Sequence, residues 1–225
     1  MEAIVFDWDG TLVDSLPAIY EANTRVLEEY GLAFDDERYR AMYVPDWRLM
    51  YLRLGLPEEH VEAAGERWLE LYSGTDTAAL LPRVSESLQR LADAGYVLGL
   101  VTAGDSVVVE RQLERFGLGH LLPVRVFGDD EVATKPHPDP LHLALRQLDR
   151  AERVATARYV GDVPDDMRMA RAAGAIGVGI ESSMASRDVL MAAGASEVYP
   201  GVAEFVDALL AAPASPGQAA TSEPA

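Results

Sequence analysis

Short apolar runs alternate with helical patterns along most of this 225-residue chain. The apolar runs lie at residues 3–6, 96–102, 124–127, 158–160 and 175–180. The helical patterns lie at residues 85–94, 105–116, 139–148 and 165–173. Several of them begin with Ser or Asp, which suit a helix N-cap. Because strands that alternate with helices of this length form a parallel sheet covered by helices on both faces, we predict an α/β fold.

One region interrupts the alternation. From about residue 16 to residue 80 the patterns are helical throughout, and no strand is predicted there. A helical block after the first strand indicates a separate inserted domain, connected to the rest near residues 14–17 and 74–82. The C-terminal segment is rich in Ala, Pro, Ser and Gly and is predicted to be disordered. The predicted division is a core at residues 1–15 and 81–210, a helical insertion at 16–80 and a tail at 211–225.

The chain carries a formal net charge of −18. A surface this acidic repels nucleic acid and anionic membranes at long range, so neither is an expected partner. It would also repel a phosphate-bearing substrate, so a metal ion or local cations must compensate at any phosphate site. The sequence has no run of about 18 consecutive apolar residues, which argues against a membrane span.

The chain contains no cysteine, which excludes disulfides, thiolate catalysis and zinc–thiolate sites. It begins Met1-Glu2-Ala3 and continues directly into an apolar strand pattern, without the basic start and small-residue cleavage site of a signal peptide. We therefore expect a cytoplasmic protein. The sequence leaves a monomer and a homodimer equally open.

The segment Asp7-Trp8-Asp9-Gly10-Thr11 directly follows the first apolar run. It lies at a strand's carboxyl end, the edge at which open parallel sheets bind ligands. Residues two apart on an extended chain point the same way, so Asp7 and Asp9 can face one site. One carboxylate can then bind a hard cation and attack while the other exchanges a proton. A solvated acidic turn is the alternative; a calcium loop is not favoured, because Thr11 and Ala18 occupy positions where it needs acidic ligands.

Two further segments carry groups suited to phosphate. Thr102, followed by Ala103 and Gly104, ends a strand and precedes a helix, where a hydroxyl and backbone N–H groups can hold phosphate oxygens. An ordinary strand-to-helix turn can have the same residues. Lys135, followed by Pro136, is the sole lysine beside 18 arginines. A compact ammonium suits a buried phosphate–carboxylate site, and the alternative is an exposed lysine in a turn.

The segment Gly161-Asp162-Val163-Pro164-Asp165-Asp166 again places acids at a strand's carboxyl end. Asp162 can complete a cation site with Asp7, and Asp166 can brace that site or the lysine from the first turn of a helix. Acids that favour a helix N-terminus are the ordinary alternative, which accounts for Asp165 better than for Asp162. Together the strand ends supply a nucleophile, a general acid/base, phosphate-binding groups, a cation and metal ligands.

These motifs resemble those of the haloacid dehalogenase superfamily, in its phosphoglycolate phosphatase-like branch. The matched motifs are residues 6–15, Thr102, Lys135-Pro136, and Gly161-Asp162 with Asp166. The resemblance extends over residues 3–210 in motif identity, order and spacing. The helical insertion is similar to the alpha-helical (C1) cap of that branch. The resemblance therefore implies a Rossmann-like, HAD-like core with an inserted all-helical cap domain.

The resemblance also implies a Mg²⁺-dependent phosphohydrolase with an aspartyl-phosphate intermediate. Asp7 would attack phosphorus, and Asp9 would protonate the leaving oxygen and then activate water. Thr102, the Ala103 N–H and Lys135 would hold the phosphoryl oxygens. The implied Mg²⁺ ligands are Asp7, the backbone carbonyl of Asp9, Asp162 and waters, with Asp166 supporting the metal site.

Other chemistries of this superfamily can be weighed against the sequence. Dehalogenases lack the second aspartate of the first motif, which is present here as Asp9, and phosphonate hydrolases need a cap lysine, which is absent. A phosphomutase of the beta-phosphoglucomutase type shares all four motifs and stays open, as does a non-catalytic phosphate-binding module. The expected ligand is a small phosphorylated metabolite. We expect 2-phosphoglycolate first, with pyrophosphate, nucleoside monophosphates and sugar phosphates as the other candidates.

The cap is expected to select the substrate. The candidate residues are Met42, Tyr43, Val44, Pro45, Asp46, Trp47 and Arg48. Arg48 could bind a second anionic group of the substrate, whereas the aromatic residues could simply pack the cap helices, as is expected of Trp68. Two residues depart from the usual motifs: Arg83 replaces the glycine of Pro-Gly-Val, and Trp8 is large enough to narrow the entrance.

Overall fold

The computed structural model describes residues 1–73 and 78–212. Within them, six parallel strands form a central sheet and two short strands form a separate antiparallel pair. In chain order, the strands are β1 (Ala3–Phe6), β2 (Val13–Asp14), β3 (Ala79–Leu80), β4 (Val97–Val101), β5 (Val124–Val126), β6 (Arg158–Gly161), β7 (Ile176–Ile180) and β8 (Glu197–Tyr199). The α-helices are α1 (Leu16–Glu29), α2 (Asp36–Met42), α3 (Trp47–Arg53), α4 (Val61–Ser73), α5 (Val84–Asp93), α6 (Ser106–Phe116), α7 (Asp139–Gln147), α8 (Pro164–Ala173), α9 (Arg187–Ala193) and α10 (Val202–Ala211). Short 3-10 helices lie at Glu58–His60 and Ala151–Thr156.

The strand order of the large sheet is β5-β4-β1-β6-β7-β8, which places β1 at the centre. The chain fills one side of β1 first and then crosses to the other, and open parallel sheets bind ligands where the order reverses in this way. Phe6 of β1 is in register with Leu100 of β4 and Val160 of β6. The residues that follow these three strands therefore lie side by side at one edge of the sheet.

Strand β1 is buried on both faces of the sheet. Ile4 and Phe6 pack in one apolar cluster with Leu88 of α5. Val5 points to the opposite face and packs with Leu141 of α7. Because alternate residues of a strand face opposite sides and both sides are covered by helices, the strand needs an uninterrupted apolar sequence.

The helical insertion contains α1 to α4 and lies between β2 and β3. These two strands pair antiparallel, with Val13 opposite Leu80, so both connections to the insertion run side by side. The insertion has an apolar core of its own that includes Tyr39, Met50 and Tyr51. The predicted α/β core with an inserted all-helical cap is thus confirmed. The prediction that residues 16–80 contain no strand is wrong, because a two-residue strand such as β3 is too short to show a periodic pattern.

Three elements after residue 180 were not predicted from the sequence. Strand β8 has one buried residue, Val198, so no apolar run marks it. Helices α9 and α10 flank it, and α10 continues to Ala211, where the tail was predicted to begin. The rest of that predicted tail, residues 213–225, and residues 74–77 of the second connection lie outside the described residues. Over the two described ranges, every helix is too short or too polar to cross a membrane.

Arg83 lies directly before α5 and has a left-handed backbone conformation, with φ of 58°. Glycine adopts this conformation without strain, which explains the usual glycine at this motif position. The Arg83 guanidinium contacts Glu86 at 3.1 Å and Asp207 at 3.2 Å. The substitution therefore places a surface cation that connects α5 to α10 of the core.

Candidate active site

Four segments meet at the carboxyl edge of the sheet. Asp7 follows β1, Thr102 follows β4, Asp162 follows β6, and Lys135 comes from the segment between β5 and α7. All four residues are buried, with 6%, 4%, 1% and 6% of their surface exposed, respectively. Residues that are far apart in the sequence are adjacent here because neighbouring parallel strands end at the same edge.

The Lys135 ammonium lies between two carboxylates. Its Nζ is 2.6 Å from Oδ1 of Asp7 and 2.8 Å from Oδ1 of Asp166. Burial opposes the charge on Lys135, but the two carboxylates more than offset this effect and raise the pKa of the lysine. The lysine is therefore charged and fixed in position, and the alternative of an exposed turn lysine is wrong.

Both carboxylate oxygens of Asp166, in the first turn of α8, accept hydrogen bonds from other protein groups. Its Oδ2 accepts hydrogen bonds from the backbone N–H groups of Asp162 and Val163, each at 3.1 Å. Its Oδ1 accepts from Lys135 and, at 3.2 Å, from the Tyr159 hydroxyl. Asp166 therefore holds the turn that follows β6 and orients the lysine.

The arrangement of acids fits a divalent cation. Asp7, Asp162 and Asp166 each place a carboxylate oxygen within 4.8 Å of the others. Oδ2 of Asp162 is buried without a hydrogen-bond partner, while Oδ1 accepts from the Thr11 hydroxyl at 3.3 Å. An unpartnered buried oxygen is costly, and hard cations such as Mg²⁺ prefer oxygen ligands. Since both oxygens of Asp166 have partners, Asp7 and Asp162 fit the role of direct ligands and Asp166 that of a support.

The two carboxylates of the first motif have different surroundings. Burial raises the pKa of Asp7, its neighbour Lys135 lowers it, and the Asp166 carboxylate raises it again. Burial also raises the pKa of Asp9. The pKa of Asp162 is raised to about 7, mainly by burial and then by Asp166. Carboxylates in unlike environments can take different roles, one as a nucleophile and one as a proton carrier.

Gly10 lies against the candidate metal site, with φ of 78°. A Cβ at this position would lie 2.4 Å from Oδ2 of Asp162. We expect Gly10→Ala to displace that carboxylate, to reduce activity severely and to lower the free energy of unfolding by about 1–3 kcal/mol. Urea denaturation and phosphate release would measure both effects. Gly31→Ala is a matched control, because Gly31 has φ of 72° with nothing within 4 Å of an added Cβ. Equal activity of the two variants would contradict the close approach to Asp162.

The turn after β4 faces Asp9. Thr102 Oγ1 accepts a hydrogen bond from the Gly104 N–H at 2.9 Å, which keeps the turn compact. Ala103, Gly104 and Asp9 line the same cavity. A Cβ on Gly104 would lie 3.2 Å from Oδ2 of Asp9, so the backbone of the turn passes close to that carboxylate. The predicted phosphate-binding turn and the predicted proton carrier are therefore neighbours.

A cavity of about 310 Å³ lies between the cap and this edge of the sheet. Four of the cap candidates line it, namely Tyr43, Val44, Pro45 and Trp47, and the lining does not include Met42, Asp46 or Arg48. Arg48 instead contacts Glu62 at 2.5 and 3.0 Å. Its guanidinium also stacks 4.2 Å from the Trp47 ring centroid. The residue expected to bind a substrate anion is thus already paired.

Two tryptophans occupy unexpected places. Trp68, expected only in the cap core, lines the cavity and stacks on Tyr72 with ring centroids 4.6 Å apart. Trp8, expected near the entrance, is fully buried in the sheet core, where its Nε1 donates to Gln112 at 2.6 Å. It therefore does not narrow the entrance.

Several cavity residues were missed by sequence reasoning, among them Asn23, Tyr39, Tyr51, Glu62 and Met184. One signal could have found two of them: the aromatic residues Tyr39, Tyr43, Trp47 and Tyr51 recur at every fourth position. The other residues come from helices or loops that are distant in the sequence. Tertiary packing brings them together, and no local pattern marks them.

The comparisons with known proteins agree with this geometry. The family model for haloacid dehalogenase-like hydrolases matches residues 4–180, which is most of the chain. The chain therefore belongs to this family, as the motifs had predicted.

Three relatives illustrate this similarity in sequence and in structure. A phosphoglycolate phosphatase of Haemophilus influenzae is 32% identical over 190 residues, which cover 79% of this chain and 84% of that protein. A hydrolase structure from Pseudomonas syringae has a TM-score of 0.81 at 25% identity and covers 93% of this chain and 98% of its own. A candidate beta-phosphoglucomutase structure from Thermotoga maritima has a TM-score of 0.70 at 26% identity, with 93% and 99% covered. The fold is therefore shared with one structure named as a hydrolase and one named as a candidate mutase.

Proposed function

We propose that this phosphatase hydrolyses a small phosphate monoester through an aspartyl-phosphate formed on Asp7, with Mg²⁺ as its cofactor. The buried pair of Asp7 and Lys135, 2.6 Å apart, is the observation that carries the proposal. A carboxylate fixed by an ammonium at the ligand-binding edge of a parallel sheet is held in place for attack. Its charge is partly offset before it meets an anionic phosphate.

The reaction is proposed in two steps. A carboxylate oxygen of Asp7 forms a bond to phosphorus while the ester P–O bond breaks, and Asp9 gives its proton to the leaving oxygen. Water then attacks the aspartyl-phosphate, returns a proton to Asp9 and releases inorganic phosphate, so that both carboxyl groups regain their starting state. Thr102, the Ala103 N–H and Lys135 are proposed to hold the phosphoryl oxygens. The location of Asp9 in the cavity wall supports its role.

The proposed Mg²⁺ ligands are Asp7, the backbone carbonyl of Asp9, and Asp162, with Asp166 as support. The unpartnered Oδ2 of Asp162 supports this assignment. When bound, Mg²⁺ would offset the repulsion between the carboxylates and the phosphate. The proposed domain division is a cap of residues 16–80 and a core of residues 1–15 and 81–210.

The test is phosphate release from a panel of small phosphoesters, with Mg²⁺ or with EDTA. The panel contains 2-phosphoglycolate, the substrate that the Haemophilus influenzae relative's name indicates, together with nucleotides, hexose phosphates, benzyl phosphate and the anhydride pyrophosphate. We expect turnover that requires Mg²⁺ and is lost in EDTA and in an Asp7→Asn variant. Absence of turnover on every ester, with folded protein and added Mg²⁺, would contradict the proposal.

A sugar phosphomutase is the second candidate function, and the similarity to the candidate beta-phosphoglucomutase supports it. A mutase keeps water away from the aspartyl-phosphate and returns the phosphoryl group to a sugar. The two functions differ in their products: a mutase converts one hexose phosphate into another and releases little phosphate. Analysis of both products in the same reactions would distinguish them.

A further inference from the structure

The cavity above the proposed site presents no cationic side chain among the described residues. Its lining includes the acids Glu62, Glu66 and Asp105 but no Lys, Arg or His. The two segments outside the described residues contain none of these cations either. Lys135 lies beneath the cavity and is engaged with two carboxylates. Among the described residues, Glu62 is already paired with Arg48, whereas Glu66 and Asp105 have no ion-pair partner. A second carboxylate or phosphate on a substrate would therefore meet the uncompensated charge of Glu66 and Asp105.

Aromatic rings form much of the remaining lining. Tyr39 and Tyr43 meet edge to face, with ring centroids 5.7 Å apart and planes at 72°. Trp47 and Tyr51 meet in the same manner at 6.0 Å and 80°, and Trp68 contributes a fifth ring. Cavities of this kind bind apolar or aromatic groups, because the rings provide apolar area and prefer further edge or offset contacts.

The position of the Trp47 indole depends on a glycine. Gly65 lies inside α4, where a Cβ would come within 2.4 Å of the Trp47 ring. Glycine is unfavourable in a helix interior, so its presence at this position is best explained by the space that it leaves for the indole. Arg48 stacks on the same ring and is itself held by Glu62. The indole is therefore fixed in the cavity wall before a ligand binds.

We propose that the leaving group of the substrate is an uncharged alcohol that carries an aromatic ring, bound among Tyr43, Trp47 and Trp68. The same cavity selects against phosphoesters with a second anionic group, 2-phosphoglycolate included. This inference rests on the proposed phosphatase function and specifies its substrate class.

The test compares esters that differ in one feature. Benzyl phosphate against ethyl phosphate isolates the ring, and 4-carboxybenzyl phosphate against benzyl phosphate isolates the added charge. We expect kcat/KM for benzyl phosphate to exceed that for ethyl phosphate by about 10- to 100-fold, as burial of one ring provides. The added carboxylate is expected to reduce kcat/KM by about tenfold or more. A preference for 2-phosphoglycolate or for the carboxylated ester would overturn the inference while leaving the phosphatase function intact.

Substitutions of cavity residues test the same substrate preference. Trp47→Ala removes the indole, and Gly65→Ala displaces it. Each variant is expected to reduce the ratio of kcat/KM for benzyl phosphate to kcat/KM for ethyl phosphate by about tenfold, mainly through KM. Glu62→Gln combined with Glu66→Gln releases Arg48 and removes two charges, so it is expected to raise kcat/KM for 4-carboxybenzyl phosphate. An unchanged selectivity in all three variants would place the leaving group elsewhere.

Measurements of phosphonate binding test the inference independently of turnover. Isothermal titration of the full chain in Mg²⁺ would compare benzylphosphonate with 4-carboxybenzylphosphonate. Tighter binding of benzylphosphonate, weakened by Trp47→Ala, is the expected result. Equal or tighter binding of the carboxylated compound would overturn the inference. Absence of Mg²⁺-dependent turnover on any ester would instead contradict the proposed function.

Discussion

The Asp7→Asn variant is expected to release phosphate at least about 10⁴-fold more slowly than the wild type, because an amide has no anionic oxygen for the attack. In EDTA the same variant is expected to be as stable as the wild type or more stable. Burial raises the pKa of Asp7 by more than Lys135 lowers it, and the Asp166 and Asp162 carboxylates raise it further. An acid whose pKa is higher in the folded chain than in the unfolded chain destabilises the fold at neutral pH, and a neutral amide avoids that cost. Activity and stability should therefore change independently.

Phosphate release and urea denaturation would measure the two effects. Asp14→Asn is the matched control: it makes the same change in the same segment, at an exposed residue of β2. This control is expected to keep its activity. Retention of more than about one hundredth of wild-type turnover by Asp7→Asn would argue against Asp7 as the nucleophile.

The sheet edge could be predicted from the sequence because its determinants are local. A buried parallel strand needs an apolar run, and the residues after each run necessarily lie at the carboxyl edge. This is why Asp7, Thr102 and Asp162 could be placed together without a structure. The pairing of Lys135 with Asp7 and Asp166 could only be suggested, because Lys135 is the sole lysine beside 18 arginines.

The cavity could not be predicted in the same way. Trp68 and Tyr43 are distant in the sequence, and each looks like an ordinary core aromatic of an amphipathic helix. Whether such a ring packs inside the cap or faces the sheet depends on how the helices are oriented, which local patterns do not encode. The same limit explains Trp8, whose size alone suggested an obstructed entrance although its indole points into the core. Arg48 was considered as a partner for a substrate anion, because the sequence does not show that it pairs with Glu62 on another helix.

The Lys135→Met variant is expected to lower the free energy of unfolding by about 3–5 kcal/mol in EDTA, and to remove most activity. Methionine is similar in length but leaves Asp7 and Asp166 without the ammonium that lies within 2.8 Å of both. With Asp162 close by, three buried carboxylates then repel one another. Urea denaturation would measure the loss. Added Mg²⁺ is expected to restore part of the stability, because a ligand that binds only the folded chain stabilises it.

Two comparisons test whether this loss of stability comes from removing a buried charge. Arg168→Met removes an exposed cation that pairs with Asp165 on α8, and it is expected to change the free energy of unfolding by less than about 0.5 kcal/mol. The double variant Lys135→Met with Asp7→Asn should lose less stability than Lys135→Met alone, because one of the repelling charges is gone. If Lys135→Met proved as stable as Arg168→Met, or if the double variant were the less stable one, the lysine would not be the counterion that holds this acidic cluster together.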